Sequence, residues 1–298
     1  MITAAILIKR NIKLFFKDKG MFFTSLITPV ILLVLYSTFL GNVYKQSFSA
    51  AIPQGFAVKE DIMDALVGGQ LVSSILAVSC VTVAFCSNFI SVQDKANGTA
   101  KDLRMSPVKP WTLSVGYYFS AFFSTLIICV TAALVCLLYL AAVGWYLSAA
   151  DVLYILLDVL LLTVFGTSLS SVITFFLSTQ GQISAVGAII SAGYGFICGA
   201  YMPVSQFSEG IRKAVMFLPG TYGTSLIRNH ALGGALSELE SSGFPDGVIK
   251  TIADTVDLNL YFSGEKVGTG TMCAVLGGSA AAIAAIYVIM NIFKGKRA

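Results

Sequence analysis

The chain has 298 residues, of which 56% are hydrophobic and 11% charged, with a formal net charge of +4 and a mean hydropathy of +0.84. A soluble domain carries roughly 25% charged residues, so this chain could bury a core in water but could not cover its surface; lipid must be part of its solvent. Its basic residues lie beside apolar runs, the pattern of membrane flanks rather than of a nucleic-acid interface.

Residues 1–20 interleave Lys9, Arg10, Lys13, Lys17 and Lys19 with Ile6, Leu7, Ile12, Leu14, Phe15 and Phe16. This pattern predicts a basic amphipathic helix in the headgroup plane, on the cytoplasmic side. Six apolar runs follow, at 21–40, 67–92, 112–142, 152–178, 183–202 and 270–293. Each meets the requirement of about 20 residues for a helix that crosses a bilayer. The first is too long for a signal-peptide core and no A-x-A site follows it, so it is expected to stay in the membrane. Pro29 is expected to kink it. Trp111 and Trp145 flank the third run as interfacial anchors. The predicted fold is therefore an all-α polytopic membrane protein: residues 1–20 as an interfacial helix and residues 21–298 as a six-span domain.

Orientation follows from Lys and Arg. With the amino terminus inside, 12 of the 19 basic residues fall in cytoplasmic segments and seven outside, and no span contains one. Both termini are then cytoplasmic.

Between the fifth and sixth runs, residues 203–269 break the pattern. Two part-apolar segments, 207–217 and 222–232, are separated by Pro219-Gly220, and each is too short to cross. They predict a re-entrant or interfacial helix pair. An acidic outer loop, 234–269, should follow with Glu238, Glu240, Asp246, Asp254 and Asp257.

The loop 91–111 between the second and third runs is charged. Asn97-Gly98 marks a turn, Thr99 can cap a short helix through Met105, and Pro107 stops it. Such a helix suits docking of a partner, although the positive-inside pattern alone would also account for its charges.

Several chemistries are disfavoured. No G-x-x-x-x-G-K-[ST] phosphate cradle occurs; residues 264–271, GEKVGTGT, have the composition with the wrong spacing. His230 is the sole histidine, too few for a triad or a zinc motif, so no catalytic or metal residues are expected. Cys80, Cys86, Cys129, Cys136, Cys198 and Cys273 all lie in apolar runs and read as packing residues. Asp158 is the one carboxylate well inside a run. It reads either as an ion site or as a group facing water or a helix partner. Gly195 and Gly199 form a G-x-x-x-G that favours helix packing or dimerisation.

These residues resemble a family. The chain is similar to the membrane subunit of ABC-2-type transporters, in which a permease pairs with a separate ATPase. Asp94, Lys95, Gly98, Thr99, Leu103, Pro107 and Val108 stand where that family carries its loop after the second span. Ala100 and Lys101 depart from it, since an acidic residue is usual there. Pro203, Phe207, Ile211, Pro219, Tyr222 and Arg228 match the family's pattern after the fifth span, and the basic amino-terminal helix matches as well.

The resemblance implies an ATP-driven exporter in the bacterial plasma membrane, moving a drug, lipid, glycolipid or peptide. A soluble ABC ATPase would bind ATP and Mg, this chain would hold no cofactor, and a second permease copy or paralogue would complete the pathway. Asp94, Lys95, Gly98, Thr99, Leu103 and Pro107 would couple to the ATPase. Pro203, Phe207, Phe217, Pro219, Tyr222 and Arg228 would form an outer gate. Ser73, Ser74, Asn88, Tyr194 and Phe196 are pathway candidates, chosen for polarity or aromaticity within apolar runs. Two alternatives stay open: a non-transporting anchor, sensor or immunity partner of an ATPase, and a secondary carrier using Asp158.

Overall fold

A computed structural model describes residues 2–35, 38, 40–52, 58–106 and 108–297. The chain runs α1 (Ile2–Lys17), α2 (Lys19–Leu35), α3 (Gly41–Ala51), α4 (Glu60–Ala96), α5 (Thr99–Met105), α6 (Pro110–Val143), α7 (Ala149–Phe176) and α8 (Gln180–Ile197). A 3-10 turn at Val204–Gln206 leads to α9 (Glu209–Val215), α10 (Pro219–Ser241), α11 (Asp246–Thr255), a hairpin of β1 (Tyr261–Phe262) and β2 (Glu265–Lys266), and α12 (Thr269–Arg297).

Among the described residues, four helices are long and apolar enough to cross a membrane: Glu60–Ala96, Trp111–Val143, Ala149–Phe176 and Thr269–Phe293. α4 is the central pillar. It is buried continuously from Ala65 through Phe85 and packs against α2, α6, α7, α8 and α10. α6 and α12 stand outside it and turn Leu138, Ile286 and Val288 outward, as lipid-facing surfaces do. Small residues let the pillar's neighbours close in: a Cβ on Gly166 of α7 would lie 2.8 Å from the Cys80 carbonyl oxygen, and one on Gly69 of α4 would lie 2.8 Å from that of Ala231. Close backbone approach of this kind favours apolar helix association in lipid.

The amino-terminal helix is amphipathic as expected, but its buried stripe is specific. Leu7, Asn11 and Phe15 recur every fourth residue and are buried, one face of a helix, and α1 packs on α6. Ile6 and Leu14 stay exposed.

Helix ends differ from the sequence expectation most at the fifth run and in the segment that follows it. The first apolar run is helical as α2 with Pro29 inside it; the end of that run, 36–37 and 39, lies outside the described residues. The fifth run stops at Ile197, not at residue 202. Gly199 takes φ +72°, the left-handed conformation that ends helices, and the amides of Ala200 and Tyr201 donate back to the Gly195 carbonyl at 2.9 and 3.0 Å. The acidic loop 234–269 differs too, because it is folded. α10 does not stop at Gly233-Gly234 but continues to Ser241, burying Ala235, Leu236 and Leu239. Gly234 is a close-approach site, because a Cβ there would lie 1.8 Å from the Tyr146 carbonyl oxygen. α11 and a two-residue hairpin complete the segment. Ser263 and Gly264 sit at φ +52° and +90°, the pair of positive φ values that matches strand twist in a tight hairpin.

Candidate functional site

Two clusters of polar side chains lie along α4 (Glu60–Ala96), one at its C-terminal end and one against Ser74 in its N-terminal half. The first surrounds α5. Gly98 adopts φ +84° and reverses the chain between α4 and α5. It occupies the N-cap position itself, and Thr99 is the first helical residue, without a side-chain cap bond. The capping role expected of Thr99 therefore passes to backbone geometry that a glycine adopts at no steric cost.

The residues preceding the turn face inward. Asp94 is 7% exposed and accepts from Arg10 through both carboxylate oxygens, at 2.8 and 3.2 Å. The Tyr117 hydroxyl donates to the same carboxylate at 2.6 Å. This forked pairing is the strong geometry for guanidinium and carboxylate, and the hydrogen bond to Asp94 pushes the Arg10 pKa further up. Next to Arg10, Asn11 donates to Ser120 Oγ at 3.3 Å. Lys95 Nζ donates to the carbonyls of Thr174, Phe175 and Leu177 at 2.7, 3.1 and 2.9 Å, capping the C-terminal end of α7, where a cation suits both the orphan carbonyls and the helix dipole. Asp94 ties α4 to α1 and α6, and Lys95 ties α4 to α7.

That leaves α5 with an anchored base and an exposed face. Lys101, Asp102, Arg104 and Met105 are exposed, while Leu103 is half-buried. Leu103 and Met105 border a 350 Å³ cavity lined also by Leu113, Tyr117, Phe175 and Tyr287, so α12 too reaches the underside of α5. Pro107 lies outside the described residues.

The second cluster centres on Arg228 of α10. Its guanidinium is 1% exposed and donates to the Val256 carbonyl at 2.9 Å, the Gly199 carbonyl at 2.8 Å and Ser74 Oγ at 3.3 Å. Asp257 lies 3.5 Å away. The backbone amide of Val204 donates to the Asp257 carboxylate, and that of Ser205 donates at 3.1 Å. Burial pushes the Asp257 pKa up, opposed by the Arg228 charge and the two amides. Asp257 also holds φ +56°, a conformation that persists in a non-glycine residue when its surroundings fix it. Arg228 thus pins three separate strands of chain, after α8, after α11 and on α4, to α10.

A family model described as the ABC-2 type transporter matches residues 4–231. The chain belongs to this family. Among curated proteins none matches it. The match takes in the α5 cluster, Ser74 and Arg228; Val256 and Asp257 lie beyond it. An ABC-2 permease is a membrane subunit of an ABC-type transporter, and its family generally works with an ATPase subunit. The spans and the family make this chain a multi-pass membrane protein.

The remaining candidates are scattered over the permease. Pro203 opens the 3-10 turn and Phe207 closes it. Pro219 begins α10, where a missing N–H is harmless. Tyr222 is buried, its hydroxyl donating to the Met216 carbonyl at 2.7 Å. Phe217 is 71% exposed and meets Phe262 edge to face at 5.3 Å. Of the pathway candidates, Ser74 belongs to the Arg228 cluster and Ser73 donates to its own helix, at the Gln70 carbonyl. Asn88 seals the α4–α7 seam, donating to Ser170 Oγ, Ser171 Oγ and the Thr167 carbonyl at 2.5, 3.1 and 3.4 Å. Tyr194 is buried and Phe196 is exposed. Within this chain, Gly195 receives the ring of Tyr201 and Gly199 ends α8, so the pair's visible work is to turn the chain rather than to seat another helix.

Sequence reasoning did not pair several of these groups. Arg10 was one basic residue among five, Tyr117 one aromatic in a long apolar run, and Asp257 one acid in an acidic loop. His230 and Asp158 also meet: His230 Nδ1 lies 2.6 Å from Asp158 Oδ2, and its ring stacks on Tyr154 at 5.0 Å. Asp158 therefore faces a helix partner.

Proposed function

We propose that this chain is the permease subunit of an ATP-driven exporter that moves an amphipathic or hydrophobic substrate across a plasma membrane with a separate ATPase. The supporting observation is the construction of the α5 end. An exposed helical tip, Thr99–Met105, stands on a base bonded to α1, α6 and α7 through Asp94 and Lys95. A push on α5 is passed to several long helices together instead of being absorbed in a loop. The basic flanks favour the cytoplasm for this end, where an ATPase would sit, and support the same side for both termini. The segment 203–269 is then external, with α9 and α10 as the gate and α2 and α8 as further membrane-embedded helices. A second permease would supply the other wall of the pathway. ATP binding by the partner would favour one arrangement of α4 and α6 over another, as a ligand shifts any two-state equilibrium by differential affinity.

The test is coupled transport in proteoliposomes holding the permease and its ATPase. Gly98→Val places a side chain where φ is +84°, and Leu103→Asp removes the apolar contact under α5. Both should leave ATP hydrolysis running and abolish cargo movement. Wild-type transport in both variants would remove α5 from the coupling route.

An ion-coupled carrier has one observation in its favour, the 4% exposed Asp158 inside α7. Asp158→Asn distinguishes the readings: a carrier loses its flux, whereas the ATP-driven exporter keeps it.

A further inference from the structure

At the α9 end of the molecule a cleft of 740 Å³ opens between α9 and the segment 254–264, within the range of small-molecule sites. Its charges do not simply cancel in place. Lys213 is taken by Glu209 at 2.7 Å. Asp257 is taken by Arg228 and two amides. On the 254–264 wall, Asp254 is fixed by neutral donors only, Asn259 Nδ2 at 2.7 Å and the Tyr261 hydroxyl at 3.0 Å. On the α9 wall, Arg212 is exposed; its charge acts on Glu209, which Lys213 already holds, and among the described residues neither Arg212 nor Asp254 makes an ion pair within 4 Å. The same cleft is lined by the rings of Phe217, Tyr261 and Phe262 and by the apolar side chains of Met216 and Leu260.

We infer that this cleft binds an amphiphile with a zwitterionic headgroup, a phosphate paired with an ammonium. Arg212 takes the phosphate, for which a guanidinium is the favoured partner. Asp254 takes the ammonium, with the faces of Tyr261 and Phe262 adding cation–π attraction. Met216, Phe217 and Leu260 receive the apolar portion that adjoins the headgroup. A purely anionic headgroup would gain Arg212 and meet the Asp254 charge; a purely cationic one would face the reverse. The inference deepens the exporter reading by naming a cargo class, and it rests on that reading only for the word cargo.

Binding is measured on the purified full chain in a sugar-headgroup detergent, without ATPase. The probes are dihexanoyl phosphatidylethanolamine, dihexanoyl phosphatidylglycerol and free phosphoethanolamine. Wild type should bind the first most tightly. Arg212→Gln should weaken both lipids roughly tenfold, the scale of one lost charge-assisted hydrogen bond. Asp254→Asn should weaken the zwitterionic lipid by a similar factor and leave the anionic one unchanged or tighter, and Arg212→Lys should restore part of the loss. Free phosphoethanolamine binding as tightly as the lipid would assign the site to a soluble solute and overturn the amphiphile. Equal affinity for both lipids, no binding, or variants that bind as wild type does would overturn the inference. Both side chains lie on the cleft wall, so unaltered thermal unfolding verifies that each variant is folded. ATP-driven export intact with no binding here sinks this inference alone; binding intact with no ATP-driven export sinks the exporter reading alone.

Discussion

Replacing Arg228 by Met keeps an unbranched stem about as long as the aliphatic part of the side chain and removes the guanidinium with its charge and its donors. Three hydrogen bonds at 2.8, 2.9 and 3.3 Å and an ion pair at 3.5 Å are lost. The carbonyls of Gly199 and Val256 are left in a site where the guanidinium was 1% exposed. Breaking a buried pair by removing one partner costs about 3–5 kcal/mol. Asp257 keeps the amides of Val204 and Ser205, which places this case at the low end, about 3 kcal/mol. At 1.4 kcal/mol per factor of ten, that is roughly a hundredfold in the local opening equilibrium. Amide hydrogen exchange of the detergent-solubilised chain reads that equilibrium segment by segment. Segments 198–207 and 254–260 should exchange roughly a hundredfold faster in Arg228→Met, with the central turns of α4 unchanged. Asp257→Asn keeps an acceptor for one amide and should raise exchange there about tenfold. The double variant should fall short of the product of the two, since the residues share one network. Exchange in Arg228→Met within a factor of about three of wild type would refute Arg228 as the clamp, because that is the noise of independent sites.

Asp94→Asn and Tyr117→Phe should each lower thermal stability, by about 1–3 kcal/mol for the loss of a charged hydrogen-bond partner, and a double-mutant cycle should show them coupled. Additive effects would separate Tyr117 from the Arg10–Asp94 pair. His230→Gln leaves the buried Asp158 carboxylate without its ring partner and should destabilise by about 1–3 kcal/mol in thermal unfolding. Asp158→Asn combined with it should recover part of that loss, and an additive outcome would contradict a direct bond. Gly234→Ala drives a Cβ toward the Tyr146 carbonyl and should cost about 1–3 kcal/mol through overpacking, whereas Gly233→Ala, with open space around it, should be neutral or stabilising in the same melt.

What could be read in advance was what hydropathy and backbone rules encode locally. Thr99–Met105 is a helix because Gly98 turns the chain before it, and the long helices follow runs of apolar residues that nothing interrupts. Hydropathy misjudged Gly199 and Gly234 for opposite reasons. Gly199 sits inside an apolar run and ends a helix through its φ. Gly234 sits beside a second glycine and ends nothing, because its missing side chain makes room for another segment. The segment 234–269 reads as a loop in sequence because its polar residues bond to chain far away, as Asp257 does to the amides of Val204 and Ser205. The coupling candidates were legible as positions while their partners were not. Asp94 reaches Arg10 across 84 residues, a pairing that no local spacing announces.

The most direct test is to reconstitute the permease in vesicles with and without a P-loop ATPase and to follow the movement of a fluorescent zwitterionic phospholipid. Movement that requires both the ATPase and hydrolysable ATP, and that stops in Leu103→Asp while hydrolysis continues, is the predicted result. Movement at the full rate with no ATPase present would contradict the account.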